Sequence, residues 1–484
     1  MTRFFAVHDL TPAARSILLT VRASAGRARA PALVGGAVRD AGLQGMTARS
    51  GDLDVTVESG ALAIARDVAA RLGGAFVPLD PERGTARVLV RGACLDLADW
   101  RAPTLEGDLA ARDFTVNALA VELRPLLRDG RAPVIDPTGG LADLRARRLR
   151  VPDPRVLLDD PLRALRGVRL EAALGFRLTP PTARAIRAVA SQVTTVSAER
   201  IRDELLAMLA LRHAAWALRR LDTLGLLGAI VPEIEAMRAS PQPAPHRFPV
   251  LEHSLRAVAG ADELVAWLPA LRPFGEELAA HLAGELGGGV TRRQILKLAA
   301  LLHDVAKPET RRVIDGRVRF FEHDVIGAAH ARRIGDRLKL PTRARGVLEQ
   351  LVRHHLRPMH LAAAGGVTRR AGYRFFRDLR DDARDLLLLS LADASAVRGE
   401  SPRAVWRRAG LVHELLRGWE ERPVGAAAPP LVRGEDVMRR FGIAPGPAVG
   451  RLLDRAREAQ ALGLIATREE ALAYLDSPRG RTLE

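Results

Sequence analysis

Apolar residues are spaced in two different ways along this chain. From about residue 30 to residue 125 they form short runs at Ala32–Val34, Leu53–Val57, Ala86–Val90 and Cys94–Leu97. Runs of that length predict strands, and the spacing over Leu62–Leu72 predicts a helix among them. Beyond this region the helical spacing takes over, at Leu162–Leu174, Ala198–Leu211, Ala214–Leu227, Arg293–Leu302 and Val325–Leu338. Breaks rich in proline and glycine fall at Asp136–Gly140, Pro232–Pro249, Gly284–Gly289 and Pro423–Pro430. The expected organisation is an α+β unit over residues 1–138, then helical units over 139–240, 245–400 and 401–484. No internal repeat of fixed period occurs.

Composition changes that picture in a few respects. A chain of 484 residues with 48% hydrophobic content can bury several cores. Its formal net charge of +17 suits a polyanionic partner. Only Lys297, Lys307 and Lys339 are lysines, so the charge is almost all arginine, and a coding bias accounts for part of it. Aromatic residues make up 4%, too few for a surface that reads RNA mainly by stacking. Backbone charge and helix shape are then the expected basis of any nucleic-acid affinity. Cys94 is the single cysteine, so no disulfide within the chain, no disulfide-linked partner and no cysteine-based zinc site is expected. No signal pattern or membrane-spanning apolar run occurs, which makes a soluble cytoplasmic protein the expectation. Oligomeric state is not legible.

Candidate chemistry concentrates first at Leu33-Val34-Gly35-Gly36-Ala37-Val38-Arg39-Asp40 and Gly51-Asp52-Leu53-Asp54-Val55. Alternate residues of a strand share a face, so Asp52 and Asp54 project together while Leu53 and Val55 face the core. Two carboxylates on one face suit a pair of magnesium ions that keep substrate phosphates in their shell. Gly35 and Gly36 let the backbone approach phosphate, and the amides of the next helix favour negative charge. Arg39 lies on the first turn of that helix, in reach of a triphosphate or sugar. Asp96, in Leu95-Asp96-Leu97, is either a third carboxylate or a water-facing strand residue. In Arg112-Asp113-Phe114-Thr115-Val116-Asn117-Ala118, Arg112 and Asn117 offer donors for phosphate and ribose oxygens.

These segments resemble the class II tRNA nucleotidyltransferases and bacterial poly(A) polymerases, within the DNA polymerase β superfamily. Asp136-Pro137, Gly140–Leu144 and Asp159-Asp160-Pro161-Leu162-Arg163-Ala164-Leu165-Arg166-Gly167-Val168-Arg169 extend the match in family order over about the first 210 residues. Ala111 departs from it, standing where the family usually has another arginine. The resemblance implies a polymerase-β-like head, an all-α neck and body, and nucleotidyl transfer to RNA with ATP or CTP as donor. It also implies nucleotide contacts from Gly36, Arg39, Arg112, Asp160, Arg163, Arg166 and Arg169.

Arg163, Arg166 and Arg169 recur every third residue and form a basic stripe on one helix face. Asp160 followed by Pro161 is equally a helix start. In the family the matching Asp and first Arg read the incoming base. Cytosine and adenine both offer an amine donor beside a ring-nitrogen acceptor, which a carboxylate and a guanidinium complement. Guanine and uracil present the reverse and leave both charges unpaired, a discrimination of roughly 10⁴-fold. CTP, ATP or both are therefore the expected donors.

Nine of the 12 histidines lie between His246 and His360. His253, the adjacent His303-Asp304 pair and Asp393 resemble the ligand set of an HD-superfamily phosphohydrolase, which implies an all-α domain holding a divalent metal of open identity. His323, His330, His354 and His355 are candidates for a second metal or a phosphate. Phosphoester hydrolysis, for instance of 2′,3′-cyclic phosphates, is implied by the resemblance alone. The last segment, Leu431–Leu475, resembles the tail of nucleotidyltransferases that carry an HD domain, and contact with tRNA or plain packing both fit it.

The leading expectation is addition of C, A or both to the 3′ end of tRNA, with release of pyrophosphate. Poly(A) tailing, CC-only addition and A-only addition are the alternatives on the same fold. An HD phosphohydrolase with a nucleotide-sensing head, and a non-catalytic RNA-binding protein, are the readings from other classes.

Overall fold

A computed structural model describes residues 3–26, 29–43, 52–90, 92–420 and 429–477. Gly51 and most of the Pro423–Pro430 break lie outside the described residues. The chain divides into two units, Met1–Leu211 with Ala217–Ile230, and Arg212–Trp216 with Val231–Glu484.

The first unit is built on a six-stranded sheet. In chain order its elements are β1 (Ala32–Val34), α1 (Gly36–Gly42), β2 (Asp52–Val57), α2 (Ala61–Leu72), β3 (Ala75–Asp80), β4 (Thr85–Val90), β5 (Ala93–Asp99) and β6 (Ala120–Glu122). The strand order is β3-β4-β5-β2-β1-β6, with β2 and β5 parallel and the other neighbours antiparallel. Leu33, Val34, Leu53, Val55, Leu95 and Leu97 are all buried, so the apolar alternation of the central strands sets which face carries the polar residues. The expected strands are present, each with its ends moved by no more than two residues. The edge strands β3 and β6 were not expected: β3 is mostly exposed and carries Pro78, and β6 is only three residues long.

Helices follow. α3 (Leu162–Leu174) begins after Asp160-Pro161 and ends at Gly175, whose φ of +66° is the left-handed stop that glycine adopts without strain. α4 (Ala198–Ala210) packs against it. The long helix expected over Ala214–Leu227 is instead two helices, Ala214–Thr223 and Leu226–Ile230. Gly225 between them has a φ of +77°, which no helix continues through.

The second unit contains α5 (Val250–Trp267), α6 (Arg292–Leu302), α7 (His323–Arg337), α8 (Thr342–His354), α9 (Asp382–Arg398) and, in the tail, α10 (Pro447–Ala461). Thr291 and Gln294 form a reciprocal cap that starts α6. The unit is not wholly helical: β7 (Arg311–Ile314) and β8 (Arg317–Phe320) form an antiparallel hairpin. Its Asp315-Gly316 turn has positive φ at both residues, the geometry that a two-residue hairpin turn needs. The tail packs its own small core around Val437, Ala459 and Leu475, and Glu458 on α10 receives Arg370 at 2.8 Å and Arg374 at 2.9 Å.

No helix among the described residues is long and apolar enough to cross a membrane. Cys94 is unpaired.

Candidate functional site

β1 runs into α1 through Gly35, which has a φ of +70°. A Cβ there would stand 2.8 Å from Asp54 Oδ2, so both the turn and the approach of the carboxylate require glycine. The register places Val34 opposite Asp54 and Asp54 opposite Asp96. Asp52 sits at the exposed start of β2, with Asp54 two residues on and less exposed. Burial pushes the Asp54 carboxyl above the usual carboxylate range; Arg112 opposes this, while Asp96, Asp113 and Asp52 add to it. Such a crowd of carboxyl groups favours an arriving cation.

Asp96 stands beside Asp54 in the register, partly exposed and already paired. Arg87 on β4 donates to both of its oxygens, at 2.8 and 2.9 Å. That bidentate pair leaves Asp96 beside Asp54 with its charge already matched.

Arg39 on α1 donates to Asp40 at 2.7 Å and to Asn117 Oδ1 at 2.8 Å. Asn117 donates in turn to Asp113 at 3.1 Å. Asp113 also accepts from Arg166 Nη1 at 3.1 Å and from the Phe114 amide at 2.8 Å. Arg166 and Arg169 both donate to Glu204 on α4, at 3.2 and 2.6 Å. One continuous polar chain thus runs from the glycine turn to α3 and α4. It exists because α3 comes very close to Phe114: a Cβ on Gly167 would lie 2.7 Å from that ring. Glu204 carries the far end of the chain and was not expected from the sequence; its place in Ala198–Ala210, facing an arginine stripe, is the signal that was there to use.

Arg112 donates to the buried Asp108 at 3.2 Å, and its Nε has no hydrogen-bond partner. Gly36 opens α1, where a Cβ would be 3.5 Å from Arg39 Nη2. Arg163 donates to the Ala111 carbonyl at 3.0 Å. Asp160 accepts the Leu162 amide at 3.3 Å and pairs with Arg200 at 2.7 Å. Asp160 and Arg163 therefore have separate partners. An open cavity of about 720 Å³ lies alongside, lined in part by Ala111, Arg150, Arg155 and Asp159.

In the second unit the expected histidines and aspartates converge. A Cβ on Gly260 would lie 2.4 Å from Ser395 Oγ, so α5 and α9 cross closely enough to bring His253 and Asp393 together. His253 Nε2 lies 3.0 Å from Asp393 Oδ1 and 3.2 Å from His303 Nε2. His303 Nε2 is 3.2 Å from Asp304 Oδ2. On the other oxygen of Asp304, His323 and His355 approach to 3.5 and 3.6 Å, with 3.2 Å between their Nε2 atoms.

The ring orientations favour metal. His303, His323 and His355 each aim Nδ1 at a main-chain carbonyl, of Ala300, Phe320 and Val352, at 3.0, 2.7 and 2.7 Å. Nδ1 then carries the proton, and the Nε2 lone pairs point inward. The facing lone pairs of His323 and His355, 3.2 Å apart, repel unless a cation lies between them, and the set divides into two candidate groups: His253, His303 and Asp304, and Asp304, His323 and His355. Burial acts to lower His303, but Asp304 and Asp393 outweigh it and push it up to about 10, so the cluster as it stands draws positive charge. Lys307 adds some at 2.7 Å from Asp304 Oδ2. His330 pairs with Glu309 instead, and His354 belongs to neither group.

Three family models match the chain: the poly(A) polymerase head domain over residues 32–150, the probable RNA- and SrmB-binding site of polymerase A over 175–238, and the HD domain over 275–398. An A-adding tRNA nucleotidyltransferase of Deinococcus radiodurans is 39% identical over 453 residues, 92% of this chain and 94% of the relative. A CC-adding tRNA nucleotidyltransferase of Thermus thermophilus is 38% identical, over 92% of this chain and 93% of the relative. A Thermotoga maritima CCA-adding enzyme, solved in complex with tRNA, shares the fold at a TM-score of 0.59 and 21% identity, covering 98% of this chain and 99% of that one. With head, RNA-binding and HD segments in order and near-complete coverage of its relatives, the chain belongs to the tRNA nucleotidyltransferase family.

Proposed function

We infer that this protein transfers CMP, AMP or both from CTP and ATP to the 3′ end of tRNA. The 3′ hydroxyl attacks the α-phosphorus, the bond to the β-phosphate oxygen breaks, and pyrophosphate leaves. The observation that carries this reading is Asp54 held against the Gly35 turn, at the head of a polar chain that reaches the Asp160–Arg169 segment.

Asp52 and Asp54 offer only oxygen donors, which fits magnesium, and magnesium bound there would stabilise the attacking and leaving oxygens. Arg39 and Arg112 flank the phosphates, with Gly36 giving them room. Asp160 accepts from the exocyclic amine of the base and Arg163 donates to its ring nitrogen, once each releases its present partner. Arg166 and Arg169, committed to Asp113 and Glu204, hold these groups in place. The division into head (1–138), neck and body (139–240), HD domain (245–400) and tail (401–484), with activity in the cytoplasm, accords with this reading. The charge of +17 suits tRNA recognition by backbone and shape.

The test supplies tRNA lacking CCA, tRNA ending in C and tRNA ending in CC, each with one triphosphate at a time. CMP or AMP incorporation is expected, and which primer accepts which nucleotide separates full CCA, CC-only and A-only addition. Unstructured RNA in parallel separates poly(A) tailing. Efficient UMP incorporation refutes the reading of the base.

A second activity is favoured by the inward-facing imidazoles. His253, His303, Asp304 and Asp393, with His323 and His355, would hold one or two divalent ions of the Mn, Ni, Fe, Zn or Mg type. Bound metal there would activate water for phosphoester hydrolysis. Hydrolysis of p-nitrophenyl phosphate by the metal-loaded protein, lost in Asp304→Ala with nucleotide addition retained, is the expected result.

A further inference from the structure

The β7–β8 hairpin carries Arg311, Arg312, Arg317 and Arg319 within ten residues, against the single acid Asp315. All four are exposed, and among the described residues none has an ion-pair partner; Arg312 reaches only main-chain carbonyls. The register puts Arg312 directly opposite Arg319 and Ile314 opposite Arg317, so three arginines share one face. Like charges directly opposite each other destabilise a two-stranded ribbon. Half-buried Val318 and Phe320 lie on the other face, which leaves the arginine face to solvent.

The hairpin also ends at the metal cluster. The Phe320 carbonyl accepts from His323 Nδ1 at 2.7 Å, and the Phe320 ring lies 5.5 Å from Lys307 Nζ, beside Asp304. Phe321, 56% exposed, follows at once, with Arg319 6.0 Å from its ring. Cations on one face and an open aromatic ring at the edge are what a single-stranded polynucleotide uses: phosphates on guanidinium, a base on the ring.

We propose that the Arg311–Phe320 hairpin holds the backbone of a single-stranded RNA end and leads its terminal phosphate to the Asp304 cluster. This rests on the cluster being a phosphoester site. Water oxygen bonds to phosphorus, the bond from phosphorus to the sugar oxygen breaks, and the water proton passes to that oxygen. The preferred substrate of the second site is then an RNA end rather than a free nucleotide.

The test compares the full chain, loaded with Mn²⁺ or Ni²⁺, with its Arg312→Gln/Arg317→Gln/Arg319→Gln variant. Substrates are an oligoribonucleotide bearing a 3′-phosphate and p-nitrophenyl phosphate. The variant is expected to lose about tenfold or more in kcat/KM on the oligonucleotide and to stay within twofold on the small ester. Three lost phosphate contacts should also flatten the log–log salt dependence by about 2. Parallel loss on both substrates, or no loss on either, overturns the proposal. Wild type cleaving the small ester but not the oligonucleotide overturns it and leaves the metal site standing. If neither is cleaved, the reading of the cluster fails. The hairpin is then judged by photo-crosslinking a 4-thiouridine oligoribonucleotide: adducts within residues 311–321 support it, and adducts only elsewhere overturn it.

Discussion

Arg166 donates through Nη1 to Asp113 Oδ2 at 3.1 Å, and this one bond ties the helix that carries Arg163, Arg166 and Arg169 to the segment that orients Asn117 and Arg39. Asp113→Ala removes the acceptor of Arg166, of Asn117 and of the Phe114 amide together. Arg166 keeps Glu204, so the expected loss is about 2–3 kcal/mol, the range for hydrogen bonds to charged groups, not that of an abandoned buried charge. Urea unfolding measures it, and KM for the triphosphate should rise because Arg39 loses its support.

The same carboxylate dictates a pH dependence. Burial tends to raise Asp113, but Arg166, Asn117 and the Phe114 amide outweigh it and hold the carboxyl below its usual range. The folded value lies below the unfolded one, so the stabilisation is complete above the unfolded value of about 3.9 and is lost as pH falls through the folded value. The stability gap between wild type and Asp113→Asn should be constant near neutrality and shrink in acid below about pH 4. A gap that grew in acid would contradict the pairing.

Asp54 and Asp96 are opposite in register yet differ in availability, because Arg87 occupies Asp96. Asp54→Asn should reduce nucleotide addition on the order of 10³-fold or more, the rate equivalent of several kcal/mol of metal stabilisation. Asp96→Asn should cost far less. Single-turnover rates, with circular dichroism to confirm folding, decide between them.

Gly35→Ala puts a methyl group into the space of Asp54 Oδ2 and forces a backbone that only glycine adopts readily. A stability cost of about 1–3 kcal/mol is expected. A fall in kcat should accompany it, since the displaced atom is the proposed metal ligand. Wild-type kcat in this variant would mean that the carboxylate does not work from where it stands.

Asp304 gives one oxygen to His303 and the other to His323 and His355. Asp304→Asn should therefore lower the metal content of both groups. Asp393→Asn should affect only the group containing His253 and His303. Metal-to-protein ratios by elemental analysis test this, with tRNA extension unchanged in both variants.

Local pattern was enough for much of this. Apolar alternation in a strand has a period of two, so Leu53 and Val55 buried meant Asp52 and Asp54 on the other face. The helical stretch at Leu162–Leu174 follows from spacing in the same way, and the His-Asp pair at the end of α6 follows from its apolar run. Where the partners sit on different strands or helices, spacing within one element says nothing. Arg87 on Asp96, Glu204 under two arginines and Arg200 on Asp160 depend on which strands and helices become neighbours. The hairpin at residues 311–320 was not expected, since the segment was read as all-α; its Asp315-Gly316 turn was a signal left unused, and only the register sets its arginines face to face beside the histidines. Residue identity along one element decides direction and burial, because those depend on a local period. Pairing of charges, closure of a ligand set and the availability of a carboxylate belong to the tertiary structure, because they are settled by distances between atoms that the chain itself leaves unrelated.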